Sequence, residues 1–248
     1  MRKNILITGA SSGLGEGMAR LFAAKGRNLA LCARRTDRLQ ALRTELLAAH
    51  PDITVSVKAL DVNDHEAVFT VFRSFADEFG TLDRIIVNAG LGKGQPLGTG
   101  YFYANKQTAE TNFVAALAQC EAAMETFRKQ NAGHLVMISS VSAVRGMRKN
   151  LTTYAATKAG AAALAEGIRH EMLGKPIVVS TMFPGYIRSE MNERVEHVPY
   201  IVDTDTGCRA LVAAIESEPA KAYVPWWPWA PLGYLMRRLP LSWVRRLT

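Results

Sequence analysis

The chain has 248 residues, 48% of them hydrophobic and 21% charged, with a formal net charge of +8. This balance excludes a disordered, collagen-like or disulfide-rich protein, because each of those classes needs a strong compositional bias. No run approaches the ~18–20 apolar residues that a membrane-spanning helix needs. The cysteines are widely spaced, which predicts neither a disulfide framework nor a metal site and favours a reducing, cytoplasmic setting; they are Cys32, Cys120 and Cys208.

Strand-like and helical segments alternate along the chain. Helices are predicted over 14–25, 36–49, 64–79, 105–130, 152–173 and 205–216, and strands over 4–8, 28–33, 53–59, 84–88, 134–139, 177–183 and, more weakly, 222–225. In the helix over 64–79, Val68, Phe72 and Phe75 mark an apolar stripe with helical spacing. Serial βα units favour a parallel sheet with helices on both faces, so we expect one α/β domain over 1–225 and a tail over 226–248.

Positive charge is concentrated near the end of the chain. Residues 219–248 hold five basic residues and no acid, whereas residues 1–218 hold 25 basic and 22 acidic residues. A nucleic-acid-binding protein more often spreads a basic stripe over its fold, so we predict no nucleic-acid partner. The tail also contains every tryptophan and an apolar stripe at i, i+3, i+4 and i+7, formed by Leu232, Leu235, Met236 and Leu239. Such a segment either makes peripheral contact with a membrane or packs on the body, on a partner subunit or over a substrate cleft.

A glycine-rich turn follows the first predicted strand and precedes a helix. It reads Thr8-Gly9-Ala10-Ser11-Ser12-Gly13-Leu14-Gly15. Glycines let the backbone turn tightly and approach a ligand closely, and the N–H groups at the start of a helix favour a pyrophosphate. The turn therefore predicts a dinucleotide site.

The same turn also matches G-x-S-x-G, the nucleophile elbow of serine hydrolases. That chemistry needs a histidine further along the chain, and the candidates are His134, His170 and His197. The first opens a predicted strand, the second lies on a predicted helix and the third is in a charged loop. In hydrolases the elbow also follows several strands rather than the first, so we consider this interpretation the weaker one.

The end of the second strand indicates which nucleotide is bound. An acid at this position accepts a hydrogen bond from the adenosine 2′-hydroxyl, whereas an arginine pairs with a 2′-phosphate. Here the strand ends in Arg34-Arg35, and the first acid is Asp37. Two guanidiniums form charge-assisted bonds to a phosphate, so we predict NADP(H) rather than NAD(H). Arg38 is interpreted as a solvated cation near the start of a helix.

Tyr154 and Lys158 are four residues apart in a predicted helix, which places the phenol and the ammonium on one face. An unperturbed tyrosine, with a pKa of about 10, is a poor base at neutral pH. A cation ~5 Å away at an effective dielectric of ~20 stabilises the phenolate by about 3 kcal/mol. We therefore expect Lys158 to lower the pKa of Tyr154, so that the phenol can give and take a proton.

Together these motifs resemble the short-chain dehydrogenase/reductase family, in its TGxxxGxG and YxxxK subgroup, over about residues 4–225. Further matches follow in the family's order: Asp61-Val62, Asn88-Ala89-Gly90, Asn112, Ser139-Ser140 and Pro184-Gly185. The resemblance implies a Rossmann-type doubly wound sheet of about seven strands in the order 3-2-1-4-5-6-7. It also implies cofactor contacts from Gly9, Ser11, Ser12, Gly13, Leu14, Gly15, Arg34, Arg35, Asp61, Val62, Asn88, Ala89, Gly90, Tyr154, Lys158, Pro184, Gly185 and Ile187.

The resemblance also implies catalytic roles. Tyr154 would protonate a substrate carbonyl, Lys158 would lower the tyrosine pKa and bind the nicotinamide ribose, and Ser140 would polarise the substrate oxygen. Asn112 would anchor a water that connects Lys158 to solvent. The interval from Ser140 to Tyr154 is one residue longer than is usual in the family, which leaves Ser142 as an alternative. The family's usual threonine after the proline–glycine pair is replaced by Ser189.

We therefore expect an NADPH-dependent oxidoreductase that acts on a carbonyl or alcohol substrate, with an inactive NADP-binding scaffold or redox sensor as the alternative. The substrate pocket is expected in loops 91–103 and 186–204. Their apolar residues suggest an apolar substrate or the packing of a lid; they are Tyr101, Phe102, Tyr186, Met191 and Val195. Alanine-rich helices over 105–130 and 152–173 resemble those that pair subunits in the family, so a homodimer or homotetramer is expected.

Overall fold

The computed structural model describes residues 2–190 and 200–247. Within them the strands are β1 (Asn4–Thr8), β2 (Asn28–Ala33), β3 (Val55–Ala59), β4 (Arg84–Val87), β5 (Gly133–Ile138), β6 (Ile177–Pro184) and β7 (Lys221–Val224). The helices are α1 (Gly13–Ala24), α2 (Thr36–Ala49), α3 (His65–Phe79), α4 (Phe102–Ala109), α5 (Ala115–Gln130), α6 (Leu151–Glu171), α7 (Thr204–Glu216), α8 (Trp226–Arg238) and α9 (Leu241–Leu247).

The strands form one parallel sheet in the order β3-β2-β1-β4-β5-β6-β7, which confirms the predicted fold. The central strand β1 is apolar on both sides, and Ile5, Leu6 and Ile7 are fully buried. This is expected of a parallel strand covered by helices on both faces. The stripe of α3 packs on one face together with residues of α5 and α6, and α1, α2 and α7 cover the other.

Two elements differ from their predicted form. The third strand begins at Val55 rather than at residue 53, because Ile53 belongs to the turn after α2 and its N–H donates to the carbonyl of His50. The long helix begins at Phe102, before the predicted residue 105, and a π-helical turn over Glu110–Val114 interrupts it. Such turns occur often at functional sites, and this one contains Asn112.

The tail forms α8 and α9, and only part of the predicted stripe faces the body, where Leu232 packs against the cluster that contains Trp229. Leu235, a member of that stripe, is exposed, whereas Trp229 and Gly233 are buried. Trp229 packs on Gly185, and the Gly233 backbone lies against the ring of Tyr223. These two residues are therefore buried by contacts with the body. Among residues 2–190 and 200–247, no helix is both long enough and apolar enough to cross a bilayer.

Candidate active site

The turn between β1 and α1 has the tight geometry that its glycines predict. Gly9 and Gly13 have φ values of +65° and +56°, a region that favours glycine. A Cβ on Gly15 would lie 2.3 Å from the carbonyl oxygen of Gly9, so the helix starts in direct contact with the turn. Ser12 stands at the N-cap of α1 with extended backbone and without a side-chain cap bond, which leaves the start of the helix suited to an external anion.

Arg35 lies across this turn. Its Nε donates to Ser11 Oγ (3.2 Å) and its Nη2 donates to Ser12 Oγ (2.5 Å). Arg34 is more exposed, and its Nη1 is 4.0 Å from Asp61 Oδ2 at the end of β3. Arg35 is thus brought to the turn that should hold the pyrophosphate, whereas Arg34 is directed to Asp61 on the same edge of the sheet.

A carboxylate that the sequence analysis did not predict pairs with two arginines near the glycine-rich turn. Glu190, in the segment after β6, bonds to Arg35 Nη1 (3.0 Å) and also to Arg38 Nη1. Bonds from Arg38 and Arg35 lower the pKa of Glu190 to about 2, so the carboxylate is charged at neutral pH. Arg38 is exposed near the start of α2, in line with its interpretation as a solvated cation, and in addition pairs with Glu190. No local pattern indicates this pair, because Glu190 lies more than 150 positions from either arginine.

The Asn88-Ala89-Gly90 motif, predicted to contact the cofactor, contacts the end of the first strand. The backbone N–H groups of Asn88 and Ala89 both donate to Thr8 Oγ1, at 3.0 and 3.1 Å. The Asn88 side chain donates to the Thr8 carbonyl (2.8 Å), and a Cβ on Gly9 would lie 2.9 Å from the Cα of Ala89. These contacts lock the ends of β1 and β4 together.

Asn112 uses its side-chain amide to hold the loop after β4. Its Oδ1 accepts from the Leu91 N–H (2.7 Å), and its Nδ2 donates to the Leu91 carbonyl (2.8 Å). A Cβ on Gly90 would lie 3.3 Å from Lys158 Nζ and 3.4 Å from Asn112 Oδ1. Asn112 and Lys158 therefore flank the same short segment, as the motif order implies.

Tyr154, Ser140 and Lys158 converge at the carboxyl end of β5. The Tyr154 phenol lies beside the Ser140 side chain and interacts with it. Ser140 Oγ also accepts a hydrogen bond from the N–H of Ser142 (3.1 Å). Ser142 itself is buried in the 3₁₀ turn that follows Ser140. Of the two candidate serines, Ser140 is thus the one in contact with the phenol. Lys158 is buried, and its Nζ donates to the Ile138 carbonyl (2.9 Å).

Burial controls the two titratable groups of this cluster. It raises the pKa of Tyr154, against an opposing effect of Ser140, and nearby Tyr186 raises it further. Burial lowers the pKa of Lys158 to about 8. The expected lowering of the Tyr154 pKa by Lys158 is not found, since the Lys158 ammonium is directed to the Ile138 carbonyl.

The remaining predicted cofactor residues lie along the same edge. Asp61 and Val62 follow β3, and Asp61 Oδ1 accepts from the Asn63 N–H (3.1 Å). Pro184 ends β6, and Ile187 is buried and forms an isolated parallel bridge with Val202. Ser189, which stands where the family usually has a threonine, lies close to the glycine-rich turn. A Cβ on Gly13 would lie 3.5 Å from Ser189 Cβ.

Gly185 supports the tail through direct contact with Trp229, a residue that the sequence analysis did not place in the site. A Cβ on Gly185 would lie 2.0 to 2.4 Å from three indole atoms of Trp229. Trp229 also packs edge-on against Tyr186, with ring centroids 5.3 Å apart, and clusters with Val141 and Phe183. One side of α8 therefore borders the segment that connects the catalytic cluster to β6.

Replacing Gly185 by alanine is expected to displace Trp229, because the new methyl group overlaps the indole. Overpacking of this kind costs about 1–3 kcal/mol of unfolding free energy. All tryptophans lie in the tail, so a red shift of the tryptophan emission reports the displacement directly. Gly167→Ala is the matched control, since its Cβ would meet open space. An unshifted spectrum and unchanged stability in Gly185→Ala would contradict the packing described here.

The histidines do not support the hydrolase alternative. His134 is buried at the amino-terminal edge of the sheet, where its Nδ1 accepts from Arg84 Nε (2.8 Å) and its Nε2 bonds with Ser180 Oγ (2.9 Å). Burial lowers the His134 pKa to about 3, so the ring is neutral. His170 is exposed on α6. His197 lies outside the described residues.

The expected pocket residues Met191 and Val195 also lie outside the described residues. Of the other expected pocket residues, Tyr101 and Phe102 are exposed.

Comparison with known proteins agrees with this geometry. A family model described as short chain dehydrogenase matches residues 3–199. An uncharacterized oxidoreductase of Mycobacterium tuberculosis is 57% identical over 245 residues, which cover 99% of this chain and 97% of that protein. A short-chain dehydrogenase from Sphingobium yanoikuyae, in complex with NADPH, superimposes with a TM-score of 0.82 at 25% identity, covering 97% of each chain.

A second solved structure is similar over most of its length. An alcohol dehydrogenase from the archaeon Thermococcus sibiricus, complexed with 5-hydroxy-NADP, has a TM-score of 0.79 at 25% identity, covering 89% of this chain and 95% of that chain. The fold, the site and these relatives define an oxidoreductase. The chain belongs to the short-chain dehydrogenase family.

Proposed function

We propose that this oxidoreductase transfers hydride between NADP(H) and a carbonyl or alcohol substrate, with carbonyl reduction as the favoured direction. The contact between the Tyr154 phenol and Ser140, beside the buried Lys158, is the observation that carries this proposal. The raised pKa of Tyr154 keeps the phenol protonated at neutral pH, which suits a proton donor to a carbonyl oxygen. We favour catalysis over an inactive scaffold because all three side chains meet in one place.

The basic turn fits a dinucleotide that carries a 2′-phosphate. Gly9 and Gly13 give the backbone its open turn, the start of α1 offers N–H groups to a pyrophosphate, and Arg35 supplies a guanidinium over Ser11 and Ser12. Bound NADPH supplies the hydride. The solved NADPH complex of the Sphingobium enzyme, a relative in fold and family, supports the choice of cofactor.

The chain's own residues handle the proton. The Tyr154 Oη donates its proton to the substrate oxygen, and Ser140 Oγ holds the same oxygen, so that both donors stabilise the charge that develops there. An ammonium has three N–H donors, and Lys158 gives one of them to Ile138, which leaves two for a ribose hydroxyl. Both ends of the Asn112 amide bond to Leu91, so we assign the water relay at this residue to its backbone carbonyl in the π-helical turn.

We also propose an apolar substrate and a homodimer or homotetramer. Tyr186, beside Tyr154, belongs to the apolar cluster with Trp229, which supports an apolar wall next to the phenol. On the helical layer, Phe113, Val114 and Leu117 remain partly exposed beside α6, and such apolar side chains favour subunit contact. Sedimentation velocity of the intact protein tests the oligomer.

Hydride transfer itself tests the proposed function. The protein is incubated with NADPH deuterated at C4 and a panel of ketones, aldehydes, quinones, steroids and 3-oxoacyl thioesters. We expect oxidation of the cofactor, with deuterium on the carbinol carbon wherever a ketone or aldehyde group is reduced, and faster turnover with NADPH than with NADH. Tight NADPH binding without deuterium transfer to any member of the panel would instead support the scaffold.

Glu190 is predicted to compete with the 2′-phosphate for Arg35 and Arg38. Since its carboxylate is charged at neutral pH, a phosphate has to replace it at these guanidiniums. We expect Glu190→Gln to lower the Kd for NADPH severalfold and to leave the Kd for NADH unchanged, as measured by cofactor fluorescence. Glu45→Gln is the control, because Glu45 pairs with Arg20 elsewhere. Weaker NADPH binding in Glu190→Gln would show that Glu190 organises the site instead of competing.

A further inference from the structure

The outer side of the tail exposes large apolar side chains to an unusual extent. Its members, which we call the tail surface, are between 47% and 70% exposed; they are Trp226, Trp227, Tyr234, Leu235, Leu241 and Trp243. Exposed single apolar residues are common, but a concentration of aromatic ones marks an interaction site. The tail surface is therefore suited to contact a partner.

The body holds the tail in a defined orientation. After the non-helical backbone at Trp227, the exposed positions 231, 234, 235 and 238 of α8 recur at helical spacing, whereas Trp229 and Gly233 face inward. Arg145 Nη1 donates to the carbonyls of Met236 (2.6 Å) and Leu239, which fixes the far end of α8. The tail is thus anchored through one side and presents the other.

Charge identifies the kind of partner. The exposed Arg237, Arg238 and Arg245 accompany the tail surface, and residues 219–248 contain no acid. Arg238 lies over the Tyr234 ring, 5.2 Å from its centroid, and the two side chains form a cation–π pair. Amphipathic helices with tryptophan on one side and arginine beside it bind anionic lipid surfaces. A second copy of this chain is a poorer partner, since symmetric pairing would bring identical positive charges together.

We propose that the tail surface binds the surface of an anionic bilayer and that the substrate is a lipophilic carbonyl compound that partitions into membranes. The second part rests on the proposed function. It follows from the position of α8, whose inner side contacts Gly185 and clusters with Val141, the residue that follows Ser140 in the chain. A protein docked through the outer side of α8 holds its reactive phenol close to the lipid.

Vesicle binding by the intact protein tests the docking surface. Sedimentation is compared with vesicles of phosphatidylcholine alone and with vesicles that also contain phosphatidylglycerol, at low and high salt. We expect binding to the anionic vesicles, weakened by salt, with a blue shift of the tryptophan emission. Trp226→Ala/Trp243→Ala and Arg237→Glu/Arg238→Glu should each weaken binding at least roughly tenfold. Substitution is preferred to deletion of the tail, because deletion would also uncover Gly185.

A matched control separates a docking surface from general attraction to charge. Lys25→Glu/Lys175→Glu makes the same change in net charge at the opposite edge of the sheet, where both lysines are exposed. This variant should bind anionic vesicles nearly as well as the original protein. Equal loss in both charge variants, absence of vesicle binding, or tail-dependent self-association without lipid would each overturn the proposal.

Vesicle binding and hydride transfer test the membrane inference and the proposed function independently. Vesicle binding is measured without substrate, so it does not depend on turnover. If hydride transfer to a soluble ketone is found and vesicle binding is not, the proposed function stands and the membrane inference falls. If vesicles bind and a lipophilic ketone carried in them is reduced no faster than a soluble one, the substrate part of the inference is overturned.

Discussion

Replacing Tyr154 by phenylalanine is expected to lower kcat for carbonyl reduction by about 10²–10⁴-fold, the usual contribution of a general acid. The substitution removes the hydroxyl that interacts with Ser140 and keeps the ring. The Kd for NADPH should change little, because the guanidinium of Arg35 and the turn between β1 and α1 are untouched. Steady-state NADPH oxidation at saturating cofactor measures kcat, and fluorescence titration measures the Kd.

Tyr186→Phe is the control for this substitution. Tyr186 is a second phenol close enough to raise the pKa of Tyr154, and burial raises the pKa of Tyr186 itself. Its hydroxyl is not in the proposed proton path, so kcat should stay within a few fold. Near-normal turnover in Tyr154→Phe, or a larger loss in Tyr186→Phe, would show that the proton comes from elsewhere.

The direction of the Tyr154 pKa shift also determines how the two reaction directions respond to pH. Carbonyl reduction needs the protonated phenol, and alcohol oxidation needs the phenolate. Because the pKa is raised above its ordinary value of 10.0, kcat for reduction should hold through neutral pH and fall only in strong alkali. The kcat for oxidation should rise with pH over the same range. Profiles of kcat in both directions, measured where the protein stays folded, test this.

The fold could be predicted because each element carries its own signal in the sequence. The continuous apolar run at Ile5, Leu6 and Ile7 indicates a strand covered on both faces, and the stripe of α3 indicates the helix that covers one of them. Most site residues followed from topology, since the ends of parallel strands gather at one edge of the sheet. The contact between Thr8 and Asn88, 80 positions apart, is of this kind.

The features that could not be predicted depend on packing between distant parts of the chain. The contact of Trp229 with Gly185 has no periodic signal, because it depends on the angle at which α8 leaves β7. The pKa of Tyr154 depends on burial, whereas the spacing to Lys158 indicates only that the two could share a helix face. The water link from Asn112 to Lys158 stays a prediction, and the bonds of the Asn112 side chain to Leu91 were not foreseen.

Replacing Arg35 by leucine is expected to convert the cofactor preference. Hydrogen bonds to a charged group contribute about 1.5–3 kcal/mol, so the loss of one guanidinium should raise the Kd for NADPH roughly 10–150-fold. The Kd for NADH should stay within a few fold, since its ribose carries no phosphate to pair with Arg35. Fluorescence titration with both cofactors, together with competition by 2′,5′-ADP, measures the change.

Two further substitutions show whether the effect of Arg35→Leu is specific. Arg20→Leu removes an arginine of α1 that pairs with Glu16 and Glu45, and it should leave both Kd values unchanged. Arg34→Leu should have a smaller effect than Arg35→Leu, because Arg34 is the more exposed of the two and its nearest carboxylate is 4.0 Å away. If Arg35→Leu weakened NADPH and NADH binding equally, Arg35 would organise the turn through Ser11 and Ser12, and the source of the NADPH preference would have to be sought at Arg34 or Arg38.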